Sequence, residues 1–320
     1  MTASALITGA PGFVGRQLCR ALVDHNWRVS AGYRRSSSPP GISGVTNEFL
    51  PLLSEPERWQ RALQSIDCVV HLAAHVHQMG RDGQSDAAYE EINVAGSRFA
   101  AELAAGAGVK RFVFLSSAKV NGEGCHGRSY RADDRSDPQD AYARSKAKAE
   151  AIIRDICGRT GMEFVIVRPP LIYGPGVRAN FHRLLMLTEH GWPLPFGAIV
   201  NRRSLVGVEN LVDFIETCMV HPQATGRIWL VNDGEDLSTP DLIRRLARLM
   251  ARPARLLACP PTLLRALGRL IGRSAEMARL CDSFVLDARP ARDILEWTPP
   301  ISVDEGLSHT VADYLAQQKK

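Results

Sequence analysis

The sequence predicts an α/β fold built on a parallel sheet covered by helices on both faces. Two observations carry this expectation. Through the first half of the chain, short and continuously apolar runs alternate with longer stretches of helical periodicity. Strands that are apolar throughout are the ones buried on both faces. Three glycines at a spacing of three, Gly9, Gly12 and Gly15 in "LITGAPGFVG" (6–15), also stand where the first apolar run gives way to the first helical pattern.

The elements follow in order. "SALIT" (4–8) reads as a strand, then a helix over 13–25, a strand "WRVSAGY" (27–33) and a helix over 54–65. "CVVHLA" (68–73), "RFVFLSS" (111–117) and "FVIVRP" (164–169) continue the strands, with helices near 86–107 and 140–157 between them. After about residue 174 the rhythm changes, at Gly174, Pro175 and Gly176, and "WPLPFGA" (192–198) is a loop rich in proline. "RIWLVN" (227–232) can rejoin the sheet, whereas "STPDLIRRLARLM" (238–250) and the segment after it read as helices of a small lobe. The division expected is residues 1–174 plus about 207–234 for a dinucleotide-binding domain, and 175–206 with 235–320 for a substrate lobe.

Composition narrows the partners. With 45% hydrophobic and 23% charged residues in 320, the chain is long enough for one large core with a smaller one beside it. A net charge of +5 spread along the sequence does not form a nucleic-acid groove. Most of its basic residues are arginines, which suit bidentate phosphate recognition, so anionic small molecules are the expected partners. The seven cysteines are scattered, without CxxC pairs or clustering with histidine. That spacing suggests a reducing cytoplasm, no disulfide framework and no metal site. No apolar run approaches the roughly 20 residues of a membrane span. "PTLLRALGRLIGR" (261–273) is amphipathic enough to touch a bilayer, but packing of this helix on its own lobe is the preferred reading.

Within the glycine motif each residue has its own task. Gly9 permits a tight turn, Gly12 lets backbone approach a pyrophosphate, and Gly15 lets the helix pack closely on the strand. A strand before the motif and a helix after it are the setting of a Rossmann-type doubly wound sheet. "YARSK" (142–146) places Tyr142 and Lys146 on one face of a helix opened by Asp140, a plausible N-cap. An ammonium fixed beside the phenol would lower its ordinary pKa of about 10. "FLSSAKVNG" (114–122) ends a strand with two hydroxyls, the position at which open sheets hold ligands.

The order of these motifs resembles the extended short-chain dehydrogenases/reductases, the NAD-dependent epimerase/dehydratase family. It runs from the glycine loop through "HLAA" (71–74) and the strand-end serines to YxxxK, 25 residues beyond Ser117. "NVAGS" (93–97), "RPPLIYGPG" (168–176), "RRSLVGVENLVD" (202–213) and "ARDILEWTPPISVDEGL" (291–307) extend the resemblance over almost the whole chain. "AAHVHQM" (73–79), "SSAKVNGE" (116–123) and "LPFGAIVNRRSLV" (194–206) look most like the bacterial surface-polysaccharide enzymes that reduce UDP-4-keto-6-deoxy-N-acetylhexosamines.

The resemblance implies a catalytic group of Ser117, Tyr142 and Lys146, with Ser116 the lesser of the two serines. It implies a cofactor held by Gly9, Gly12, Phe13, Val14, Gly15, Leu72, Ala73, Ala74, Tyr142, Lys146 and Pro169. Ser117, Asn180 and Arg203 are its substrate contacts. Arg279 is either a third phosphate contact or a solvated lobe arginine. It further implies a UDP-linked keto-sugar substrate and a homodimer.

Departures from the family refine this. NAD-binding members end the second strand with an acid for the adenosine ribose, whereas this chain has Tyr33 followed by Arg34 and Arg35. Two guanidiniums attract a 2′-phosphate, so NADP(H) is favoured, with NAD(H) possible. Ala118 and Lys119 replace the Asp-Glu pair of the 4,6-dehydratases, which removes the elimination chemistry. Asn121 replaces the tyrosine of the family's "VYG", a change expected to reshape the sugar pocket. The resulting expectation is NADPH-dependent reduction of the C4 keto group, giving UDP-FucNAc or UDP-QuiNAc for O-antigen synthesis. The alternative is a UDP-hexose or UDP-HexNAc 4-epimerase with tightly bound NAD. A non-catalytic nucleotide sensor would be expected to have lost Tyr142 or Lys146.

Overall fold

The computed structural model describes residues 2–34, 39, 41–75, 86–125 and 127–318. Seven parallel strands form the main sheet in the order β3-β2-β1-β4-β5-β6-β9. These are β1 (Ser4–Thr8), β2 (Arg28–Tyr33), β3 (Val45–Phe49), β4 (Cys68–His71), β5 (Arg111–Leu115), β6 (Glu163–Arg168) and β9 (Arg227–Leu230). The chain runs outward from β1 to β3, then returns to place β4 on the other side of β1. The crevice between the carboxyl ends of β1 and β4 is therefore the switch point of a doubly wound sheet.

The apolar strands are explained by two cores. Ala5 and Ile7 of β1 face one, with Val14, Leu18 and Leu22 of α1 (Phe13–Asp24) and Leu211 and Ile215 of α7 (Val208–Val220). Leu6 faces the other, with Trp59 of α2 (Pro56–Ala62), Ala100 and Ala104 of α4 (Gly96–Gly106) and Ile153 of α5 (Ala141–Thr160). Successive strand residues point to opposite faces, so a strand between two helical layers must be apolar at every position. Burying one such leucine or isoleucine contributes about 1.5–3 kcal/mol.

Three differences from the sequence expectation have physical causes. β3 lies at the sheet edge, where "VTNEF" is only partly buried and shows no apolar run. The helix expected over 86–107 is instead α3 (Asp86–Tyr89), a π-helical segment Glu90–Ala95, and α4. β4 and β5 leave the ladder two residues early, at His71 and Leu115, so "LA" and "SS" are crevice loops rather than strand.

The lobe is mainly helical: α6 (Ala179–Glu189), α8 (Thr239–Leu249), α9 (Pro261–Leu270), α10 (Ser274–Cys281) and α12 (Val303–Gln318), whereas α11 (Arg289–Leu295) buries Ala291 and Leu295 in the main-sheet core. The lobe also carries a small sheet the sequence reading did not anticipate, β10-β8-β7, from β7 (Leu171–Tyr173), β8 (Arg203–Gly207) and β10 (Asp236–Leu237). Among the described residues, no helix is long and apolar enough to cross a membrane.

Candidate active site

The glycine loop occupies the switch point. Gly9 has φ +71, and a Cβ there would stand 2.8 Å from the nitrogen of Ala73. No other residue type fits both the left-handed backbone and the approach of the β4 loop. At Gly15 a Cβ would lie 2.5 Å from the carbonyl oxygen of Gly9, so the helix sits closer to the turn than any side chain permits. Gly12 opens α1 as a bare N-cap, with no side chain bonded to the first-turn N–H groups and no acid beside them. Phe13 and Val14 begin the helix, half-buried and buried. Free N–H groups at the positive end of a helix, reached over glycines, make a cradle that fits a pyrophosphate.

The β4 side is braced to this loop. The N–H of Leu72 donates to the Thr8 carbonyl at 3.2 Å, and that of Ala73 to Thr8 Oγ1 at 3.3 Å. Leu72, Ala73 and Ala74 are half-buried along the crevice. Asn93, in the π-helical segment, accepts from the His75 N–H at 2.7 Å and donates to Ser145 Oγ at 2.9 Å. This buried amide ties the β4 loop to α5, a brace that sequence reasoning missed. Its only signal was the position of Asn93 in "NVAGS".

Ser117 follows β5, half-buried, as N-cap of a 3-10 turn whose Lys119 N–H it accepts at 3.3 Å. Ser116 turns inward, 3% exposed, and donates to the Glu150 carboxylate. The two serines thus part company, and Ser117 is the one left facing the crevice loops. Asp140 caps α5 through the Ala143 N–H at 2.7 Å, as its position before "AYARSK" predicts. Pro169 is buried after β6 and accepts from the Ala118 N–H at 2.9 Å, which locks the Ser117 turn to the neighbouring strand.

Tyr142 and Lys146 share a helical face, as their i,i+4 spacing requires. The Lys146 ammonium donates to the Leu115 carbonyl at 2.7 Å and lies 4.3 Å from the centre of the Phe114 ring. Burial pulls its pKa down to about 7. Burial likewise raises the Tyr142 phenol above its ordinary value, with Asp140 and Tyr89 adding to the rise. The i,i+4 spacing brings the two residues to one face, yet the lysine is long enough to find a carbonyl at the end of the sheet first.

Behind the site lies a buried ion pair. Arg168 meets Glu150 at 2.6 and 2.9 Å and Asn121 Oδ1 at 3.0 Å. Asn121 is 2% exposed and also donates to the Arg131 carbonyl at 2.8 Å. It is a brace beneath the Ser117 turn.

The lobe supplies cations across the crevice. Arg203, at the start of β8, donates to the Asp282 carbonyl at 2.8 Å and stacks over Phe284. Burial, with the nearby Arg279 charge, lowers its pKa. Arg279 of α10 stands 3.5 Å from Glu123, and its Nε is buried with no hydrogen-bond partner. The side chain as a whole is 35% exposed, so one guanidinium N–H is shut off from water while the group reaches the surface. Lys119 bridges Glu123 at 2.9 Å and Asp140, so its charge faces the same space. Asn180 is exposed in the first turn of α6.

At the end of β2, Tyr33 packs on Phe49 with ring centres 5.9 Å apart, and Arg34 is exposed directly after it. Arg35 lies outside the described residues.

This fold, with its cleft between the sheet's carboxyl ends and a cation-bearing lobe, is that of the extended short-chain dehydrogenases/reductases. The chain belongs to the NAD dependent epimerase/dehydratase family, whose sequence profile matches residues 5–231. It is 37% identical over 319 residues to a UDP-glucose 4-epimerase of Vibrio cholerae, covering 98% of this chain and 96% of that one. It is 26% identical over 335 residues to the N-acetyl-alpha-D-glucosaminyl-diphospho-ditrans,octacis-undecaprenol 4-epimerase of Escherichia coli O157:H7, covering 100% and 98% of the two chains. Among solved structures, UDP-glucuronic acid 4-epimerase from Bacillus cereus, in complex with NAD, shares the fold. Its TM-score is 0.78 at 21% identity, over 99% of this chain and 100% of that one.

Proposed function

We propose that this protein is a UDP-sugar 4-epimerase that uses NAD, with residues 1–174 and about 207–234 binding the dinucleotide and the remainder binding the sugar nucleotide. The observation that carries the reading is the 37% identity with a UDP-glucose 4-epimerase along nearly the full length of both chains. The crevice geometry supports it. The Gly9–Gly15 loop and the first turn of α1 fit the pyrophosphate of a dinucleotide, with Leu72, Ala73, Ala74 and Pro169 along its path. Arg203 and Arg279 offer donors to the diphosphate of the sugar nucleotide.

When bound, a nicotinamide would supply the hydride acceptor and donor for C4 of the sugar. Tyr142 takes the proton of the 4-hydroxyl and gives it back, while the Ser117 hydroxyl holds that oxygen in line. Since burial and Asp140 both raise the Tyr142 pKa, deprotonation needs a cation, and Lys146 is the buried cation one helical turn away. Lys119 contributes by holding Asp140, whose negative charge would otherwise oppose the phenolate more strongly.

The second reading is reduction of a UDP-4-keto-6-deoxy-N-acetylhexosamine by NADPH. One observation favours it: β2 ends in Tyr33 and the exposed Arg34, with no acid for a ribose diol. One experiment separates the two. Purified protein is denatured and its released nucleotide identified, and the native protein is incubated with UDP-glucose and, separately, with the keto-sugar and NADPH. NMR of the products and absorbance of the nicotinamide are then followed. Retained NAD with interconversion of UDP-glucose and UDP-galactose supports the epimerase. NADPH oxidised in proportion to keto-sugar consumed, with no action on UDP-glucose, overturns it.

A further inference from the structure

Helix α9 presents an apolar stripe that nothing among the described residues covers. Its packed side is narrow: Leu264 is 3% exposed, and Gly268 sits against Met277 of α10, where a Cβ would lie 2.5 Å from the methionine side chain. The neighbouring side carries Leu263, Leu267, Leu270 and Ile271, at i, i+4, i+7 and i+8, which is one continuous face of a helix. These residues are 50%, 47%, 82% and 64% exposed. An aligned stripe of large apolar side chains differs from the single exposed leucines that any surface carries.

Charge identifies the occupant. From position 251 to 275 the chain holds Arg252, Arg255, Arg265, Arg269 and Arg273 and no acidic residue. Arg265 meets Asp282 and Arg273 meets Glu276, whereas Arg252, Arg255 and Arg269 have no acidic partner among the described residues. All five are exposed. An apolar stripe on a segment whose charges are all arginines matches a surface that offers acyl chains and anionic headgroups together.

We propose that the exposed face of α9 rests on the surface of an anionic phospholipid bilayer. The leucines enter the headgroup–acyl boundary and the arginines meet the lipid phosphates. The helix lies in the interface and does not span it.

The test is vesicle flotation of the full chain. The wild type is expected to float with vesicles of equimolar phosphatidylglycerol and phosphatidylcholine and to remain behind with phosphatidylcholine alone. High salt should release it, as the Debye length shrinks from about 10 Å at 0.1 M to about 3 Å at 1 M. Leu270→Glu/Ile271→Glu should abolish flotation while melting temperature and dinucleotide binding stay unchanged, because both side chains are exposed. Arg269→Gln should weaken the partition about fivefold, the equivalent of ~1 kcal/mol per surface arginine. Absence of flotation at low salt overturns the proposal, as does flotation that survives the double substitution. Sedimentation velocity covers the rival occupant. A wild-type dimer that the double substitution dissociates, without vesicle binding, would make this face a contact between copies of the chain.

Discussion

The Lys146 ammonium donates to the Leu115 carbonyl at 2.7 Å, although Tyr142 stands one helical turn before it. The lysine is thereby held under the end of β5, against the Phe114 ring and away from water. Burial lowers its pKa from 10.5 to about 7, so between those values the unfolded chain binds more protons than the folded one. Stability must then rise with pH across that window and fall as pH drops toward about 7. Urea unfolding at several pH values in the window should show this rise in the wild type. Lys146→Met should flatten it, and an unchanged slope would contradict the burial argument.

Tyr142 is the one phenol on the crevice helix, and both readings of the function pass the proton through it. Tyr142→Phe is expected to lower kcat by about 10²–10⁴ while nucleotide-sugar affinity stays near the wild-type value. Steady-state turnover alongside calorimetric binding of UDP-sugar separates the two effects. Near wild-type turnover in the phenylalanine variant would remove Tyr142 from the mechanism.

On the proposed reading, Arg203 gives charge-assisted hydrogen bonds to the diphosphate of the sugar nucleotide. Arg203→Ala should weaken UDP-sugar binding by about 1.5–3 kcal/mol and leave dinucleotide affinity almost unchanged. Calorimetry with each ligand in turn checks this. Equal losses for both would point to a disturbed fold, since Arg203 also holds the Asp282 carbonyl.

Gly15→Ala probes the cradle. The added Cβ would meet backbone atoms, the Gly9 carbonyl at 2.5 Å and the Ala10 Cα at 2.8 Å, which cannot rotate away as a side chain could. The loop must shift, at a cost of about 1–3 kcal/mol. A lower melting temperature together with weaker dinucleotide binding is expected. A full-strength cofactor site in this variant would mean that the loop does not hold the dinucleotide.

How much of this was legible in the sequence depended on the kind of constraint. β1 and the helix after it were visible because burial on both faces forbids polar residues, and because left-handed φ with close backbone approach leaves only glycine at position 9. The edge strand β3 was not visible, since a half-exposed strand tolerates "VTNEF". Spacing placed Tyr142 and Lys146 on one helical face. It could not say that a carbonyl from another strand, 31 residues away in sequence, would capture the ammonium.

The sequence by itself thus determined the inner strands of the main sheet, the glycine cradle and the residue types at the crevice, because each follows from local backbone geometry or from burial on both sides. The tertiary structure alone decided that Ser116 turns inward to Glu150 while Ser117 stays at the crevice. It decided also that Asn121 braces Arg168 and that the Arg279 Nε is buried without a partner. In the same way it decided which side of α9 faces outward. An amphipathic pattern states that a helix has two faces. Only the packing of other elements against Leu264 and Gly268 settles which apolar side chains are left over, because burial is a property of what lies opposite and not of the helix itself.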